Sequence, residues 1–153
     1  MVIANRYRLV VAIFFLSAGV VRAETADEMA ISRLLRGMFD KPGAVLSIAP
    51  VVVAGNHAIA DWSQSDMGGR ALLRRTQAGW AVVLCAGDAI RSRDALKRAG
   101  VAADDAVRLE RDLAASEATL SPAAVAMFSR FEGLVMMDAA EGQPASSDRH
   151  HRR

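Results

Sequence analysis

Residues 70–85 read R-A-L-L-R-R-T-Q-A-G-W-A-V-V-L-C, and they decide the fold class. R-A-L-L-R-R-T is a strand-like run, Q-A-G is a turn signal, and W-A-V-V-L-C is a second run rich in aromatic and β-branched residues. Strict alternation along the second run places Trp80, Val82 and Leu84 on one face and Ala81, Val83 and Cys85 on the other. Arg74 and Arg75 point to opposite faces of the first run by the same rule.

Upstream, V-L-S-I-A-P-V-V-V-A at 45–54 is another β-branched segment, which Pro50 confines to a sheet edge or splits in two. Gly55-Asn56 is a two-residue hairpin signal leading into H-A-I-A-D-W-S-Q, and S-D-M-G-G at 65–69 reads as the loop before Arg70. Short runs joined by short turns give an antiparallel meander of about four strands. Before it, Thr25 with Glu28 has the capping-box spacing, and Ile31, Leu34, Leu35 and Met38 form one apolar face of a helix. D-K-P-G at 40–43 ends that helix. After the meander the chain is helical. Asp88 caps a helix over 89–99 stopped by Gly100, a second begins near Ala103 with Ala106, Leu109, Leu113 and Leu120 on its apolar face, and Ser121-Pro122 opens a third through Phe128. The fold class is therefore α+β: an N-terminal helix, the meander, then about three C-terminal helices packed on one face of the sheet.

The ends of the chain read differently. Arg6 and Arg8 precede an apolar run from Leu9 to Val21 that closes on V-R-A, the pattern of a secretory signal peptide over 1–23. The run is about 13 residues, short of the roughly 20 that span a bilayer. The expected domain is 24–138, and the Glu-, Gly-, Ser- and Arg-rich segment 139–153 is expected to be a disordered tail. The full chain of 153 residues carries a formal charge of +2, but removing Arg6, Arg8 and Arg22 leaves 16 basic against 17 acidic residues. A mildly acidic body argues against nucleic acid as the partner. Export implies a periplasmic location, and one cysteine permits no internal disulfide, so stability must come from packing.

The sequence carries no G-x-S-x-G, phosphate-binding glycine loop, H-E-x-x-H or C-x-x-C. His57 is the one histidine outside the tail. A thiol nucleophile at Cys85 would need His57 as base, oriented by Asp61 or Asp66, and nothing in the spacing requires them to meet. Cys85 is otherwise a small buried hydrophobe or a soft metal ligand. Soft donors for a metal are Cys85, Met67, Met136 and Met137, with imidazole from His57 and from His150 and His151 in the tail. Thiolate and thioether sulfur favour Cu(I), and imidazole accepts copper in either state. Met29, Met38 and Met127 read as helix packing.

Three stretches bear a resemblance: P-V-V-V-A-G-N-H-A-I-A-D-W-S-Q-S-D-M-G-G-R-A-L-L-R-R, W-A-V-V-L-C-A-G-D and F-S-R-F-E-G. Together they resemble a family of small exported proteobacterial proteins described as copper uptake system-associated proteins, over roughly Ile31 to Asp138. The resemblance implies association with copper uptake and names no catalytic residues. Family members often end in a histidine-rich tail, which is reduced here to D-R-H-H-R-R. The expectation is a non-enzymatic periplasmic accessory of copper handling, with Cu(I) as the ion and a periplasmic copper chaperone or copper transporter as partner, the membrane being met only through that partner. The alternative is a protein-protein interaction module with no metal site, in which Cys85 is core.

Overall fold

The computed structural model describes residues 25–137. The expected signal peptide, the expected tail and His150 and His151 lie outside these residues. Helix α1 (Ala26–Phe39) opens on the capping box: the Glu28 N–H donates to Thr25 Oγ1 at 3.2 Å and the Thr25 N–H donates to Glu28 Oε2 at 2.7 Å. It ends before Asp40, whose Oδ1 accepts the Leu46 N–H at 2.7 Å and steers the chain into the sheet.

Four strands follow as expected, β1 (Ser47–Ala54), β2 (His57–Gln64), β3 (Met67–Thr76) and β4 (Gly79–Ala86), each antiparallel to the one before. The turns are Gly55-Asn56, Ser65-Asp66 and Gln77-Ala78. Met67, Gly68 and Gly69 are thus strand rather than loop. Ser65, at φ 55°, takes the left-handed position that the turn requires. A fifth strand, β5 (Leu134–Met136), completes the order β1-β2-β3-β4-β5. Three residues are too few to carry a periodic signal, so the sequence reading stops at about four strands. β1 is an edge strand, and its register with β2 shifts between Ile48 and Val51, a bulge at the position of Pro50.

After β4 the expected single helix over 89–99 is divided. Asp88–Ile90 is one 3₁₀ turn, and α2 (Arg93–Arg98) begins separately with Ser92 as its cap. Asp88 does not cap, because its carboxylate is taken by Arg70 at 3.0 Å and Ser129 at 2.8 Å. Helix α3 (Ala103–Glu117) carries Ala106, Leu109 and Leu113 as read but ends before Leu120, and α4 (Pro122–Phe128) forms as read, with Ser121 as cap and proline in its first turn.

Helices cover both faces of the sheet, not one. Ile31 and Leu35 of α1 pack with Ala58, Ala60, Ala71, Leu73 and Val82 on one side. Leu96, Ala106, Leu109 and Leu113 of α2 and α3 pack with Val52, Ile59, Leu72 and Leu84 on the other. β4 serves both cores through a β-bulge. Leu73 pairs with Val82 and Leu72 with Leu84, which leaves Val83 as the extra residue. Alternation therefore resets: Trp80, Val82 and Cys85 face α1, while Leu84 and Ala86 face α3. The face shared by Trp80, Val82 and Leu84 in a regular strand does not exist.

Candidate functional site

The α1 face holds an apolar cavity of about 210 Å³. Trp62, Ala71, Cys85 and Val135 form its floor on the sheet, and Leu35 and Phe39 of α1 form its roof. At its rim the Gln64 side chain donates to the carbonyls of Phe39 at 2.9 Å and Ala44 at 2.6 Å, tying the end of α1 to β2. Phe131 closes another side, edge-on to Trp62 with ring centroids 5.7 Å apart.

Cys85 lies opposite Ala71 on β3 and Val135 on β5, is 8 % exposed, and is a free thiol. Burial pushes its pKa up to about 11, because the thiolate would lose its hydration. Met137 donates its N–H to the Val83 carbonyl at 2.9 Å and lines the same cavity. It is two residues past the partner of Cys85, a diagonal of about 7–8 Å that long side chains span.

The other sulfur and imidazole donors are elsewhere. Met136 opposes Leu84, so it points to the α3 side of the sheet and is 49 % exposed. Met67 begins β3, four residues and about 13 Å of strand from Ala71, and is exposed. His57 begins β2 and pairs with Arg74, about 24 Å of strand from the Met67 end of the hairpin. By alternation with Ile59 it faces α3, across the sheet from Cys85. Burial lowers its pKa against the pull of Asp105. The structure thus brings Cys85 together with Met137 and leaves Cys85, His57 and Met67 apart, which separates the thiol from the imidazole base that a nucleophile would use. Among the described residues no group of three or more His, Cys, Asp or Glu side chains is arranged to hold a metal ion. Of the methionines read as packing, Met127 does pack, against Gly68, whereas Met29 is exposed.

Sequence reasoning missed a second cluster, on the α3 face. Arg70 of β3 is fully buried, as is Asp61, its partner across β2, and Glu117 at the end of α3 is 3 % exposed. Arg70 Nε donates to Glu117 Oε1 at 2.8 Å, Nη2 lies 2.7 Å from the same oxygen, and Nη1 donates to Asp88 Oδ1 at 3.0 Å and to the Phe128 carbonyl at 3.3 Å. Arg91 Nη2 closes the cluster from outside on Glu117 Oε2 at 2.9 Å. A sequence signal existed. Asp61 and Arg70 each sit two residues from a core position, Ile59 and Leu72, and Glu117 continues the Leu109–Leu113 stripe at i+4. Charged residues on apolar stripes are buried in pairs or not at all.

No protein-family model, no curated protein and no solved structure matches this chain.

Proposed function

We propose that the chain is an exported, non-enzymatic accessory of copper handling that carries Cu(I) as cargo, with Cys85 and Met137 as its soft donors. The observation that supports this most directly is that a thiol and a thioether line one apolar cavity. That donor chemistry fits Cu(I) over harder divalent ions. The signal-peptide pattern at the N-terminus and the resemblance to the copper uptake system-associated family agree with it. With its pKa at about 11, Cys85 is protonated at neutral pH, so Cu(I) must displace a proton and binds more tightly as pH rises. A copper chaperone or transporter of the periplasm is then the natural partner.

The test is an anaerobic Cu(I) titration against a competing chelator. Cys85→Ala should abolish tight binding, Met137→Leu should weaken it, and truncation after Asp138 should leave it intact. Loss on truncation alone would move the site to His150 and His151. Absence of binding in every form would leave the second reading, a protein-protein interaction module. That reading is favoured by one observation, that Cys85 is as buried and as reluctant to ionise as a core residue.

A further inference from the structure

The Arg70 cluster holds more carboxylates than its buried guanidinium can serve. Arg70 directs Nε and Nη2 at Glu117 and Nη1 at Asp88 and the Phe128 carbonyl. Asp61 Oδ1 is left 3.6 Å from Nε, beyond hydrogen-bond distance, and neither Asp61 oxygen receives a hydrogen bond although the side chain is fully buried. Glu117 Oε1 lies 2.8 Å from that same Nε, so the two carboxyl groups converge on one nitrogen. An ionised Asp61 would be dry, without donors, and set against a like charge, which is among the costliest arrangements a core can hold. A protonated Asp61 has one O–H to give, and Glu117 is the acceptor beside it.

We propose that Asp61 keeps its proton in the folded protein and shares it with Glu117, making the joint between the sheet and helices α3 and α4 a proton-sensitive switch. The groups facing Asp61 are Arg70 from β3, Glu117 from α3, and Arg91 from the segment after β4, with Asp88 on the far side of Arg70. Burial pushes the Asp61 pKa up to about 8 against the pull of Arg70, and the charge and hydrogen bond of Glu117 raise it further. An unfolded aspartate titrates near about 3.9. Between those values the folded chain binds one proton more than the unfolded chain, so stability is complete below the lower value and is lost as pH rises through the upper one. His57, with its pKa lowered, acts in the opposite sense below its ordinary value, so the comparison must be with a variant that changes Asp61 alone.

The experiment is denaturant unfolding of the wild type and Asp61→Asn from pH 5 to 9, with infrared spectra of the native wild type over the same range. Asparagine keeps the shape and hydrogen-bond donor of the neutral acid. The expected result is that the folding constant of the wild type, relative to the variant, falls about tenfold per pH unit between about 5 and 7 and levels off above about 8. The infrared carbonyl band of a protonated carboxylic acid should persist in the wild type at pH 6, where surface carboxylates are ionised, and vanish on further alkalinisation. Equal pH slopes in the two proteins would overturn the proposal, and so would the absence of that band at pH 6. Should Asp61→Asn fail to fold, the infrared titration of the wild type decides alone.

Discussion

Cys85 is screened from solvent by α1 and β5, and among the described residues no charged group acts on its thiol to favour the thiolate. Both facts slow a thiol reagent. Native protein at pH 7 should react with a disulfide reagent at least about a hundredfold more slowly than unfolded chain, since only the thiolate attacks. The native rate should climb about tenfold per pH unit toward about 11, where burial places the pKa. Fast labelling at neutral pH would mean that the cavity is open and the thiol activated, and it would be read by absorbance in a stopped-flow trace. Gly68 gives a second test at this scale. A Cβ there would stand 2.8 Å from the Met127 carbonyl oxygen and 2.9 Å from the Trp62 carbonyl oxygen, with backbone on both sides and no flexible end to yield. Gly68→Ala should therefore push α4 off β3 and cost about 1–3 kcal/mol in urea unfolding. A neutral effect would show that α4 is loosely docked. Gly68 and Gly69 read as loop in the sequence, and the structure places them in β3, where neighbouring backbone stands close to both.

At the scale of elements, Val83 is the residue that shifts the alternation of β4 between the two cores. As the extra residue of a bulge it lets Trp80 and Val82 serve the α1 core and Leu84 and Ala86 the α3 core from one strand. Deleting Val83 would make Leu73–Val82 and Leu72–Leu84 adjacent regular pairs and leave Trp80, Val82 and Cys85 toward α1 and Leu84 and Ala86 toward α3. The expected loss is about 0.5–3 kcal/mol, because no buried side chain changes face and what goes is the half-buried Val83 with the carbonyl that accepts the Met137 N–H. A larger loss in a denaturant titration of the deletion would show that the bulge itself, and not the pairing on either side of it, holds the two cores. The bulge also marks what could be read in advance. Some turns and caps were legible, since Gly55-Asn56, Thr25 with Glu28 and Ser121-Pro122 each use residue types that the local backbone demands, whereas Asp88 is held by Arg70 instead of capping. The strands were legible from composition. The bulge was not, because W-A-V-V-L-C is apolar on both faces and alternation there carries no contrast. The same loss of contrast hid the second helical layer, for a sheet with apolar residues on each side needs cover on each side. It hid part of the site as well. The pairing of Cys85 with Met137 depends on β5, three residues long, whereas His57 and Met67 looked near in sequence and are held apart by the length of an antiparallel hairpin.

For the whole molecule the decisive feature is that Arg70 touches every layer on the α3 side: Asp61 on β2, Asp88 after β4, Glu117 on α3 and the Phe128 carbonyl at the end of α4. The cluster fixes where these elements meet, yet an ionic core is no stronger than an apolar one of the same shape, because each charge must first be stripped of water. These two statements predict different outcomes for two variants. Arg70→Met removes the buried cation of the cluster and leaves Glu117 with Arg91 alone and the protonated Asp61 with Glu117 as its remaining partner. The cost should be about 3–5 kcal/mol, measured as a fall in the urea midpoint at unchanged slope. Combining Arg70→Met with Asp61→Leu and Glu117→Leu removes the stranded carboxyls and replaces polar volume with apolar volume. Asp88 and Arg91 are both largely exposed and keep their hydration, so nothing charged is left behind in the interior. The triple variant should recover most of the loss, and its stability should no longer depend on pH through the Asp61 window. If the triple variant is as unstable as Arg70→Met, the cluster contributes through hydrogen-bond geometry that apolar packing cannot replace. If instead Arg70→Met alone is neutral, Arg91 is enough to serve Glu117, and the buried guanidinium is not what joins the sheet to its helices.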